Sequence, residues 1–176
     1  PCSGEFLGFH QRVILHLLDL PGQQQVLKGV QAELLDCAYP LLDDVVITSD
    51  LATAFRDTNF NFLVGGKAHG HGMERVDLLK DNARIFIDLG KAINDHSARD
   101  AKTTVVANPA NTNALICLHY APDLPSSSFT AMTRLDQNRA LSQMALKTGT
   151  HTNEVKQLAV WGNHSGTMYP DLSNCK

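Results

Sequence analysis

The chain has 176 residues, of which 43% are apolar, 19% charged and 6% aromatic, enough for one ordinary hydrophobic core. Fifteen basic against eighteen acidic side chains leave a formal charge of -3, without the strong positive field of a dedicated nucleic-acid binder. No apolar run approaches the roughly 20 residues that cross a bilayer, and the opening PCSGEFLGFH lacks a basic region followed by an apolar signal core. The expectation is a cytoplasmic protein with neither nucleic acid nor membrane as partner. Cys2, Cys37, Cys117 and Cys175 are widely spread and form no CxxC pair, so they read as buried or incidental thiols.

In chain order, VILHLLD at 13 to 19 is a short apolar run ending in an acid and closed by Pro21 and Gly22, the pattern of a strand and a turn. Leu27, Val30, Leu34 and Cys37 recur at spacings of three and four, which predicts a helix over 24 to 37 that covers a sheet face. VVIT at 45 to 48 is the next strand, ATAFRD at 52 to 57 a short helix, and FNFLV at 60 to 64 a further strand closed by Gly65 and Gly66. From Met73 the series Val76, Leu79, Ala83, Phe86, Leu89 and Ile93 predicts a helix reaching Asp95, with Gly90 as a modest weakness. TTVVA at 103 to 107 is a buried strand ended by Asn108 and Pro109. A helix is expected over 111 to 120, a Pro/Ser loop over 122 to 128, a helix over 138 to 148 and an extended QLAVW at 157 to 161. Strands separated by amphipathic helices predict an α/β, doubly wound, mainly parallel sheet.

Polar residues gather after strand ends, where open α/β sheets place their ligands. Asp19 is suited to accept ribose hydroxyls, although no G-x-G-x-x-G fingerprint lies the usual roughly 20 residues before it; a solvent-facing turn acid is the other reading. Asp136 and Arg139 in RLDQNRA share one side of a helical turn. The arginine fork suits an anionic substrate and the aspartate suits orienting a histidine, while a local ion pair explains the same spacing. His164 in WGNHSG is either a cleft imidazole or a satisfied core histidine. His69 and His71 lack a third and fourth ligand nearby, so no metal site is expected. Arg75 points either to a cleft or to neighbouring acids. Hydride chemistry on a 2-hydroxy acid gives these residues one division of labour: His164 as base, Asp136 as its orienter, Arg139 as carboxylate clamp and Asn108 as a neutral positioning amide.

These motifs carry a resemblance. HLLDLP, AELLDCAYPLL, GMERVDLL, NPANTN, RLDQNRA and WGNHSGTMYPD, covering nearly all of residues 10 to 171, resemble the NAD-dependent, cytosolic-type malate dehydrogenase branch of the malate/lactate dehydrogenase family. The resemblance implies a Rossmann-like NAD-binding domain over 1 to 122 and the beginning of a substrate domain over 123 to 176. It implies that the first strand and phosphate-binding glycine loop belong ahead of Pro1 and further substrate-domain elements after Lys176, so that the chain is a fragment. Asp19 then falls at the adenosine ribose, Gly65 and Gly66 beside NAD, and Asn108 near nicotinamide and substrate. Arg139 and Arg75 fall on the two substrate carboxylates, and Asp136 pairs with His164. A homodimer is the implied assembly.

Two departures stand out. His69 occupies the position where the family presents a second-carboxylate arginine. An imidazole with a reference pKa of about 6.5 is mostly neutral at neutral pH and lacks the guanidinium fork. Leu89 stands where many relatives carry glutamine. The expected reaction is interconversion of malate and oxaloacetate; lactate dehydrogenase-like chemistry on another 2-hydroxy acid and a non-catalytic dehydrogenase-like binding protein are the alternatives.

Overall fold

A computed structural model describes residues 1–67, 75–162, 164 and 166–176, and of residues 75–78 the backbone alone. His69 and His71 lie outside the described residues, as does the side chain of Arg75.

The first unit is a parallel pair. Strand β1 (Val13–Leu18) lies against β2 (Leu42–Thr48), with Leu15 opposite Val45 and Leu18 opposite Thr48. Two parallel neighbours require a crossover, and helix α1 (Gln24–Asp36) supplies it. The expected apolar stripe of α1 is only partly used: Leu27 is buried, but Val30 and Cys37 are exposed. Among the described residues much of that face is left exposed, so periodicity overstates what the helix covers.

After the short helix α2 (Leu51–Phe55), the chain builds a second parallel sheet in the order β3, β4, β5. These strands span Phe60–Leu63, Lys102–Val105 and Phe129–Ala131. Leu63 stands opposite Val105, and Val105 opposite Ala131. Helices α3 (Arg75–His96) and α4 (Ala110–His119) make the two crossovers. Five parallel strands linked through helices form the Rossmann-like, doubly wound arrangement expected from the sequence. Among the described residues β1 pairs only with β2 and β3 only with β4, which leaves one edge of each unpaired. Phe6 packs edge-on against Phe60 and Phe62 of β3, with ring centroids 5.0 and 5.5 Å away.

One core serves both sheets. Leu63, Phe86, Leu89, Ile93, Val105 and Cys117 are buried in it, and Leu18 of β1 packs against it. The apolar series read along α3 is therefore the core-facing stripe from Phe86 onward, Leu89 included, whereas Leu79 remains exposed. Gly90 has a specific role where α3 crosses α4. A Cβ there would lie 2.8 Å from the Cys117 carbonyl oxygen and 3.1 Å from Tyr120 Cβ, so the residue that weakens the helix is the one that admits its neighbour.

Beyond β5, helix α5 (Arg134–Thr148) starts a turn earlier than periodicity predicts, and β6 (Ala159–Trp161) pairs antiparallel with β7 (Tyr169–Asp171). Strands β5 and β7, three residues each, are not anticipated by the sequence pattern.

Candidate functional site

The carboxyl ends of β1, β3 and β4 deliver the polar residues. Leu18, Leu63 and Val105 end these strands in the common core, so the residues that follow leave the strands next to that core. Asp19 follows β1 and is exposed. Its backbone N–H donates to Thr48 O at 3.2 Å, and its Oδ1 accepts the Leu20 N–H at 2.7 Å. Among the described residues Oδ2 takes no hydrogen bond, which leaves an acceptor for a hydroxyl ligand.

Gly65 and Gly66 follow β3 and differ from each other. The space a Cβ would take at Gly65 is open, whereas at Gly66 it would lie 3.1 Å from Asn82 Oδ1 and 3.3 Å from Ala107 Cβ. One glycine faces open space and the next is wedged against the protein, an arrangement that lets a ligand approach the backbone closely. Asn108 follows β4, is exposed, and precedes a cis bond to Pro109. The buried Asn113 donates from Nδ2 to Ala107 O at 2.9 Å, tying helix α4 to the turn that carries Asn108.

The catalytic candidates come from α5 and the turn after β6. Asp136 lies in the first turn of α5, which follows β5 directly. One carboxylate oxygen, Oδ2, lies 2.9 Å from His164 Nδ1, and the other, Oδ1, accepts from Arg139 Nη1 at 3.3 Å. The Asp136 side chain is 11% exposed, while His164 and Arg139 are 55% and 66% exposed. A largely covered carboxylate thus supports two groups that face solvent. The local i,i+3 ion pair of Asp136 with Arg139 is present, and the same carboxylate also meets His164. Because an ionised carboxylate only accepts, Nδ1 carries the proton and Nε2 is the nitrogen left for a ligand.

Two contacts hold the turn that presents His164. Gln137 Nε2 donates to Leu158 O at 3.1 Å, anchoring the approach to β6 on α5. Trp161 Nε1 donates to Asp171 Oδ2 at 3.1 Å across the β6–β7 pair. Hydrogen bonds from Ser173, and then from Trp161, hold the Asp171 carboxyl below the usual range and keep it an acceptor. Gln137, Asn82 and Asn113 escape sequence reasoning because each acts through a distant main-chain group. Among the described residues no group of three or more His, Cys, Asp or Glu gathers to hold a metal.

The sequence compares directly with known families. Residues 7–129 match the model for the lactate/malate dehydrogenase NAD binding domain, and residues 133–176 match that for the lactate/malate dehydrogenase alpha/beta C-terminal domain. The chain belongs to the lactate/malate dehydrogenase family. NAD is the cofactor of this dehydrogenase family, and the acceptor at Asp19 with the open backbone at Gly65 fits a dinucleotide. The malate dehydrogenase of Naegleria fowleri is 48% identical with a TM-score of 0.97, over 99% of this chain and 53% of that one. A leucine-to-arginine variant of the apo lactate dehydrogenase of Trichomonas vaginalis is 38% identical with a TM-score of 0.94, over 99% and 52%. The Trichomonas enzyme with NADH and oxamate is 37% identical with a TM-score of 0.92, again over 99% and 52%. The chain spans about half the length of these relatives.

Proposed function

We propose that the complete polypeptide carrying this chain is a cytoplasmic, homodimeric malate dehydrogenase that interconverts malate and oxaloacetate. The observation that carries the reading is Asp136, which supports the imidazole of His164 on one oxygen and the guanidinium of Arg139 on the other. The likeness to the Naegleria malate dehydrogenase, the higher in identity of the malate and lactate relatives described above, favours malate as substrate.

When bound, NAD supplies the hydride acceptor, or in reduced form the donor, at its nicotinamide ring. Asp19 would hold the adenosine ribose, Gly65 and Gly66 would border the cofactor, and Asn108 would orient the nicotinamide and substrate ends. His164 Nε2 removes the substrate hydroxyl proton during oxidation and returns a proton to the carbonyl oxygen during reduction. Asp136 keeps the other ring nitrogen protonated and stabilises the imidazolium as it forms. Arg139 binds the carboxylate next to the reacting carbon through its planar fork. Arg75 and His69 would meet the distal carboxylate.

His69 supports a second reading. A side chain without the guanidinium fork at that position suits a pyruvate-sized substrate, and the Trichomonas lactate dehydrogenases are also similar in fold and sequence. NADH-dependent reduction of oxaloacetate and of pyruvate, compared at about pH 6 and about pH 8, separates the two. Oxaloacetate is expected to be preferred at both values. Preference for pyruvate at both values overturns the malate assignment, and His69→Arg should then shift the preference toward the dicarboxylate.

A further inference from the structure

Asn82, in the second turn of α3, is fully buried and polar. Its Oδ1 accepts the Lys67 backbone N–H at 2.8 Å and its Nδ2 donates to the Lys67 carbonyl at 3.2 Å. Both ends of the carboxamide are thus spent on the main chain of one residue, the complement a peptide would meet in a β-ladder. The Lys67 side chain is pinned as well, by an ion pair from Nζ to Asp81 Oδ2 at 2.5 Å. Directly before it, Gly66 is pressed between Asn82 Oδ1 and Ala107. The backbone leaving β3 is therefore fixed from the α3 side while Gly65 keeps an open face.

A buried amide with both ends satisfied by one residue is more than a helix needs from an interior position; an apolar residue would pack there without the desolvation cost of the carboxamide. What the amide adds is a defined position for the Gly66–Lys67 peptide. We propose that Asn82 is a positioning residue for the dinucleotide: it sets the backbone of Gly65 and Gly66 at the distance at which the cofactor packs against it. The proposal rests on the reading of those glycines as the border of the NAD site. Asn82 itself touches neither cofactor nor substrate.

The test compares wild type, Asn82→Ala, Gly66→Ala and the double variant in the complete polypeptide, by NADH affinity, cofactor KM, kcat and Tm. Loss of two part-buried hydrogen bonds should weaken NADH binding about tenfold and raise cofactor KM by a larger factor than it lowers kcat. Gly66→Ala should also weaken NADH binding, because its Cβ pushes on Asn82 Oδ1. In the double variant the Asn82 part of that obstruction is gone and only the contact with Ala107 Cβ remains, so the combined penalty should fall below the product of the single ones.

Cofactor affinity unchanged in Asn82→Ala while Tm falls would make Asn82 a structural residue and overturn the proposal, as would penalties that multiply. Should Asn82→Ala fail to fold, unchanged NADH affinity in Gly66→Ala overturns it, and weakened affinity supports it. Wild-type protein without NADH affinity would instead defeat the cofactor reading itself, and this inference with it.

Discussion

His164 Nδ1 and Asp136 Oδ2 stand 2.9 Å apart although 28 residues separate them in the chain. The contact joins the first turn of α5 to the turn after β6, and it sets the chemistry of the imidazole. With Nδ1–H directed at a carboxylate, the ring is held in the tautomer whose Nε2 has a free lone pair.

Asp136→Asn should therefore slow hydride transfer on the order of a hundredfold or more, with NADH affinity changed little. The amide keeps the shape but presents either a donor or a neutral acceptor to Nδ1, so the imidazolium loses its stabilising charge. Single-turnover rates beside cofactor titration provide the check, and equal rates would assign Asp136 to holding Arg139 alone.

The α3–α4 crossing makes a prediction of opposite sign to helix propensity. Gly90→Ala would gain about 1 kcal/mol if only the helix mattered. The Cβ instead meets a carbonyl oxygen at 2.8 Å, and overpacking against backbone should lower stability by about 2 kcal/mol. Denaturant unfolding of the two proteins reads the sign directly.

Thiol labelling tests the core. Burial pushes the Cys117 thiol up to about 12, while Cys37 is exposed. Because the neutral form is favoured in the folded state, this contribution to stability is present below the unfolded thiol pKa, about 8.5. It is lost as pH rises from there through about 12. Alkylation of the native protein at about pH 8 should modify Cys37 rapidly and leave Cys117 unmodified until unfolding. Early modification of Cys117 would contradict the packing of α4 on α3.

Elements with strong periodicity were legible from sequence. The stripe of α3 from Phe86 to Ile93 is found in the core positions its spacing implied, and the apolar run of β1 forms the expected strand, of which only Leu18 packs against the core. Helix α5 was legible only in part: Leu135 and Leu146 are exposed and Ala145 is its buried residue, so no stripe marks its first turn. Strands β5 and β7 are too short to show a period, and β7 contains Pro170, which argues against a strand in isolation. Among candidate site residues, Asp136, Arg139 and His164 draw notice in the sequence because charge or imidazole after a strand or in a helix turn suggests chemistry, and the structure brings the three together. Asn82 and Asn113 looked like ordinary helix residues, since their meaning lies in the carbonyls of Lys67 and Ala107. The packing role of Gly90 is hidden for the same reason: its partner is the backbone of another helix.

The most direct test of the account is oxaloacetate-dependent oxidation of NADH by the complete polypeptide, in wild type and His164→Gln. The predicted result is turnover by wild type and a loss of at least about a hundredfold in the variant, with NADH affinity retained. Wild-type protein that binds NADH without oxidising it, or a His164→Gln variant that turns over at the wild-type rate, would contradict it.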